Sequence, residues 1–231
     1  MFREKTINIK IIFEIFQKVL TRYRKSVNII LMKRKGEKNM KELSIADKNH
    51  IQYVVIKLEE LLKTDTIHSL HKNENFEYVK HIILHRHAFA KVEHRTKYHG
   101  KFSNEHDVDK IGLALILGRE ETRRIHKILA PHHNTTVESA THDILVEKIF
   151  DWESCHYTKL NEPKTAYEYL VTAKPQYTDK MKPIMEELGL WGEENKSPLT
   201  EEHYKQMEDS IDDETIIAEV RKSLKYLKGV I

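Results

Sequence analysis

The chain has 231 residues, 39% hydrophobic and 32% charged, which is enough for one large domain with a real core and solvated outer faces. A net charge of +3 gives no global field for nucleic acid, and the single cysteine, Cys155, excludes an internal disulfide and fits a reducing cytosol. Fifteen histidines are well above ordinary usage and favour metal binding before any spacing is read.

The charge is unevenly placed. Residues 1–41 carry twelve Lys/Arg against Glu4, Glu14 and Glu37, a local balance of +9 that leaves −6 for the rest. No apolar run here reaches the roughly 20 residues of a membrane span. Three readings of this basic N-terminal arm stand open: an amphipathic surface helix, an arm that touches phosphate, or a segment upstream of a native start at Met40. The last rests on Lys35-Gly36-Glu37-Lys38-Asn39, which back-translates to the purine-rich type of stretch that precedes bacterial start codons. Residues 41–231 are expected to form one all-α domain.

From Ser44 the pattern is helical. Ser44 and Asp47 offer a capping box, and Ile51, Val54, Val55, Leu58, Leu61 and Leu62 follow at helical spacing. After a polar break at 63–75, a helix over about 76–98 puts Tyr78, Ile82, His85, Phe89 and Val92 on one stripe. His85 is centred on that stripe and His81 sits at its edge. By position alone such a histidine is more often a hydrogen-bonded core residue than a ligand.

Ser103 or Asn104 can cap the next helix, from His106 to about Leu117, where Gly118 ends it. His106-Asp107 supplies two metal-ligand atoms from adjacent residues, and Lys110 lies one turn on from Asp107, projecting from nearly the same face. A divalent metal beside a fixed cation suits a phosphoryl group. A third helix spans 119–130 with Arg119, Arg123 and Arg124, which either grip a substrate phosphate or form an ordinary solvated face.

Pro131-His132-His133-Asn134 reads as a loop whose vicinal imidazoles supply a ligand or a proton donor. A helix from about 136 to 157 follows, with Ile144, Leu145, Ile149 and Trp152 as its stripe. Asp151 lies between Phe150 and Trp152, where a carboxylate needs a compensating positive charge, either a metal or a lysine. His142 precedes Asp151 by nine residues, about 180° around one continuous helix, so both reach one site only if the helix begins after His142. Beyond this lie helices over about 163–172 and 178–190, turns at Gly192 and Ser197-Pro198, and helices over about 199–210 and 213–228, none with ligand spacing.

His106-Asp107-Val108-Asp109-Lys110 closely resembles the His-Asp-x-x-Lys signature of the HD-domain metal-dependent phosphohydrolases. With His85, His132-His133 and Asp151-Trp152, the resemblance covers about residues 76–157 and is to an uncharacterised bacterial and phage branch. It departs at Asp109, where many relatives carry a small residue, and after His133, where a further histidine pair is expected and only His142 is present. The resemblance implies an HD-like helical bundle in which His85, His106, Asp107 and Asp151 hold a divalent Mn, Fe, Co, Ni, Zn or Mg ion. Lys110 would neutralise phosphate, while His132 or His133 would contact substrate or protonate the leaving oxygen. A two-metal variant adds His132 or His133 and His142. The implied substrate is a nucleotide or related phosphoester in the cytoplasm. The alternatives are a non-catalytic module that binds nucleotide or metal, and oxygen chemistry at a di-iron site.

Overall fold

A computed structural model of the chain describes residues 43–63, 66–159, 161, 163–192 and 201–231, and it is all-α, with ten α-helices and no strand among these residues. The expectations for the basic arm and for Ser197-Pro198 lie outside the described residues.

α1 (Ile45–Leu61) begins with the expected capping box, in which Ser44 accepts from the Asp47 amide and Asp47 accepts from that of Ser44. After α2 (Thr66–His71), α3 (Phe76–His94) ends earlier than its periodicity predicts. Residues 95–107 run as turns, with positive φ at His99, Gly100 and Asp107. α4 (Val108–Leu129) holds both helices expected on either side of Gly118.

That glycine carries the fold. Asp109 and His126 are 17 residues apart, about 25 Å on a straight helix, yet their side chains meet at 2.9 Å. The element therefore reverses at Gly118, whose φ of 73° and ψ of −176° is backbone that glycine alone adopts without strain. Asn73 Nδ2 donates to the Leu115 carbonyl at 3.0 Å, satisfying a group freed near the corner.

α5 (Pro131–Asn134) is a single helical turn where a loop is expected, and α6 (His142–His156) is capped by Thr141 rather than starting near residue 136. α7 (Ala166–Ala173), α8 (Thr178–Glu187, with Pro183 inside), α9 (Glu201–Asp209) and α10 (Asp213–Lys228) complete the chain.

Two apolar clusters form. One joins α1, α2, α3, the two arms of α4, α9 and α10 through residues such as Leu58, Ile83, Ile111, Leu115, Ile125 and Val220. Gly112 lets α4 approach closely: a Cβ there would lie 2.6 Å from Leu58 Cδ1 and 2.8 Å from Ser223 Oγ. The other joins α3, α6, α7 and α8 through Phe89, Val146, Ile149, Phe150, Leu170 and Met185. α3 belongs to both, and its His85 lies between Leu84 of the first cluster and Phe89 of the second. The polar groups described next gather at that seam.

Candidate metal centre

The His106-Asp107 pair is held in the turn just before α4 rather than within it, because Asp107 has left-handed backbone, φ 56°. Buried groups fix this turn from both sides. Glu93, fully buried, accepts the amides of Phe102 at 2.6 Å and Ser103 at 3.1 Å. Buried Arg86 donates to the His106 carbonyl and, through Nε, to buried Glu219 of α10 at 2.9 Å. Burial works to raise the Glu219 pKa, but Arg86 and Lys222 outweigh it and lower it. The Phe89 ring stacks on His106, with centroids 3.8 Å apart.

The structure brings His85, His106, Asp107, Lys110, His132, His133 and Asp151 together, and adds His126 and Glu147, which the sequence reading did not single out, and Asp109, which it noted only as a departure from the resembling signature. His85 Nε2 lies 3.0 Å from Asp151 Oδ1 and 3.8 Å from Asp107 Oδ2. His106 Nε2 lies 3.6 Å from Asp151 Oδ1 and 3.8 Å from Asp107 Oδ2. His126 Nε2 lies 3.2 Å from Asp107 Oδ1. Asp107 thus belongs both to a set with His85 and His106 and to one with His126, His132 and His133, the ligand atoms in each lying within 4.8 Å of one another.

The other nitrogen of each ring shows why these atoms face inward. Asp109 accepts from His126 Nδ1 with both oxygens, at 2.9 and 3.0 Å. Glu147 Oε1 stands 3.3 Å from His106 Nδ1 and 3.1 Å from His132 Nδ1, though off the line of a hydrogen bond in the second case. His85 Nδ1 faces the Thr158 hydroxyl at 3.5 Å and Ser154 at 3.4 Å, the latter equidistant from both ring nitrogens. Those hydroxyls spend their protons on the carbonyls of Ser154 and Asp151, so they accept from Nδ1. With Nδ1 carrying a proton, each Nε2 is left facing a carboxylate, an arrangement satisfied either by a second ring proton or by a cation between them. The buried atoms His106 Nε2, Asp107 Oδ1, His126 Nε2, His132 Nδ1 and His132 Nε2 make no hydrogen bond. The donor set fits a divalent ion.

Without a metal, protons hold the same imidazoles and carboxylates together. Burial alone would lower the His106 pKa, but Asp107, Asp151 and Glu147 push it up to about 9. Burial works to raise Asp107 and Asp151, yet Lys110 with the surrounding imidazoles holds Asp107, and His106 with His85 holds Asp151, far below the usual carboxylate range. His106 and His132 likewise overcome burial at Glu147 and hold it at about 2. Lys110 donates to Asp107 Oδ2 at 2.7 Å, and its pKa rises despite burial. His133 is exposed as a residue, but its ring packs against His126 and His132, and burial with His132 beside it lowers its pKa to about 2.

Other expected positions fall elsewhere. His142 opens α6, and so does not precede it as a ligand role required; its side chain is 48% exposed, 3.7 Å from Glu187. Arg123 pairs with Glu120 at 3.9 Å, and Arg124 with Glu121 and with Asp47 of α1 at 2.6 Å each. Arg119, over the Tyr78 ring, is near enough to help lower the pKa of His81, a shift whose main cause is burial; His81 joins no ligand group among the described residues.

His126 lay on a helix whose arginines suggested either a phosphate grip or a charged face, and no local spacing links it to Asp107 across the Gly118 reversal. Glu147 was more accessible to inference, since it precedes Asp151 by four residues and so shares its face of α6. Comparison with known proteins finds no match: no family model fits the chain, and neither a curated protein nor a solved structure is similar to it.

Proposed function

We propose that the chain is a metal-dependent phosphohydrolase of HD type, acting on a nucleotide or a related phosphoester. The observation that carries this reading is the set of buried imidazoles whose Nδ1 atoms are occupied from behind and whose Nε2 atoms converge on Asp107 and Asp151. The division of donors on either side of Asp107 favours two ions: His85 and His106, with Asp151 3.0 and 3.6 Å from them, for one, and His126, His132 and His133 for the other. His126 takes the place that His142 would have filled.

When bound, such ions supply a water acidified towards neutral pH and polarise a phosphoryl oxygen. The chain's own residues do the rest. Lys110, 17% exposed, contacts the Asp107 carboxylate and would neutralise phosphate charge. His133, exposed as a residue, would meet the substrate; kept neutral, it offers a hydrogen bond rather than a proton.

The test measures metal content per chain and then hydrolysis of a panel of nucleotides, cyclic nucleotides and simple phosphoesters with Mn, Fe, Co or Ni. Turnover that chelator abolishes and that His106→Ala lacks is the expected result. Retained metal with no turnover on any phosphoester would leave a binding module instead.

A further inference from the structure

Cys155 is absorbed by neither apolar cluster and by no step of the proposed reaction. It follows Glu147 and Asp151 at intervals of four on α6, so all three share one face of that helix. Its sulfur, an Asp151 oxygen and a His85 nitrogen lie within 4.8 Å of one another. From a different element, the His106 side chain, 0% exposed, aims a nitrogen without a hydrogen bond at Asp151 Oδ1, 3.6 Å away, the oxygen that also faces His85 Nε2. Burial and the nearby Asp151 carboxylate push the Cys155 thiol up to about 11, against a smaller opposing pull from Lys159, one turn beyond it.

We infer that Cys155 is a metal ligand on the His85–Asp151 side of the cluster, and that its thiolate makes that position thiophilic. The inference rests on the metal-centre reading and specifies its ion class. A site of imidazole and carboxylate alone accepts Mn or Mg, whereas one that adds a thiolate selects Zn, Co, Cd or ferrous iron. Ligation breaks the S–H bond as the sulfur–metal bond forms, and one proton per ligated Cys155 leaves to solvent. No oxidation state changes.

Cobalt(II) tests this directly, because the chain contains one cysteine and any thiolate-to-cobalt charge-transfer band belongs to it. The full chain, stripped with chelator, is titrated anaerobically with cobalt and followed in the visible and near-ultraviolet. The expected result is visible d–d bands with a near-ultraviolet thiolate band in the parent, and loss of that band alone in Cys155→Ser. A parallel measurement follows alkylation of Cys155 in the parent chain, which bound cadmium should slow. Visible bands without the thiolate band, and alkylation indifferent to cadmium, would overturn the role of Cys155 while leaving the cluster standing. Failure to bind cobalt at all would remove the cluster reading and this inference with it.

Discussion

At the scale of single residues, the groups behind the imidazoles matter as much as those in front. Asp109 holds one ring, His126, whereas Glu147 stands behind two, His106 and His132. Removing such a backing carboxylate typically weakens metal affinity by about 10–100-fold while leaving the ligands in place. Asp109→Ala should therefore weaken the ion on the His126 side, and Glu147→Ala should weaken both. Competition against a chelator of known affinity measures this, with far-ultraviolet circular dichroism as the check on folding. Equal affinities in parent and variants would mean that the rings need no such support. Asp109 also shows where the sequence could be read and where it could not. Its departure from the resembling signature was visible in one line of letters, but its partner, 17 residues on, was hidden by a chain reversal. His85 stood out at the centre of an apolar stripe and became a ligand candidate through the resemblance, while Asp151 stood out as a carboxylate between Phe150 and Trp152. His126, on a helix studded with arginine, broke no local pattern.

At the scale of elements, two connections place the His-Asp turn. The first is the corner at Gly118. A substituent there faces Asn75 at 3.5 Å without a severe clash, so Gly118→Ala tests backbone conformation rather than space. Forcing a side chain into this region costs about 1–3 kcal/mol, and relaxation of the corner would move His126 away from Asp107. Gly118→Ala should lower the unfolding midpoint and weaken metal binding together; a variant matching the parent in both would show that the corner tolerates a Cβ. The glycine itself was legible as a helix end, but the direction the chain takes after it was not, since glycine marks a break without fixing its angle. The second connection is Arg86, which joins α10 to the turn through Glu219. Removing one partner of a buried ion pair strands the other charge, at about 3–5 kcal/mol. Glu219→Ala should show a loss of that order in denaturant unfolding, whereas Glu219→Gln, which keeps an acceptor, should lose less. Because the Glu219 pKa is lowered in the fold, its contribution is present above its ordinary carboxylate range and disappears as pH falls through the folded value. The Glu219→Ala penalty should therefore shrink in acid.

At the scale of the whole molecule, the cluster links the all-α fold to protons and metal at once. In the chelator-treated chain, His106 has its pKa raised from 6.5 to about 9, so its stabilising contribution is complete below 6.5 and lost as pH climbs through 9. Glu147, lowered from 4.5 to about 2, stabilises above 4.5 and ceases to do so as pH falls through 2. His133, lowered from 6.5 to about 2, adds to the acid limb, because the unfolded chain takes up a proton below 6.5 that the folded chain refuses. The sum of these three contributions peaks near pH 6.5 in the metal-free protein and falls on both sides. Bound metal replaces the proton on His106, so the loss between 6.5 and 9 should vanish once the ion is added. The ion should also raise stability everywhere above the acid limb, by about 2.7 kcal/mol when its free concentration is a hundredfold above its dissociation constant. Thermal unfolding across pH with chelator and with zinc or cobalt measures both effects. An alkaline decline that persists unchanged with saturating metal would mean that the ion does not displace the His106 proton, and that the imidazoles face their carboxylates as ordinary ion pairs.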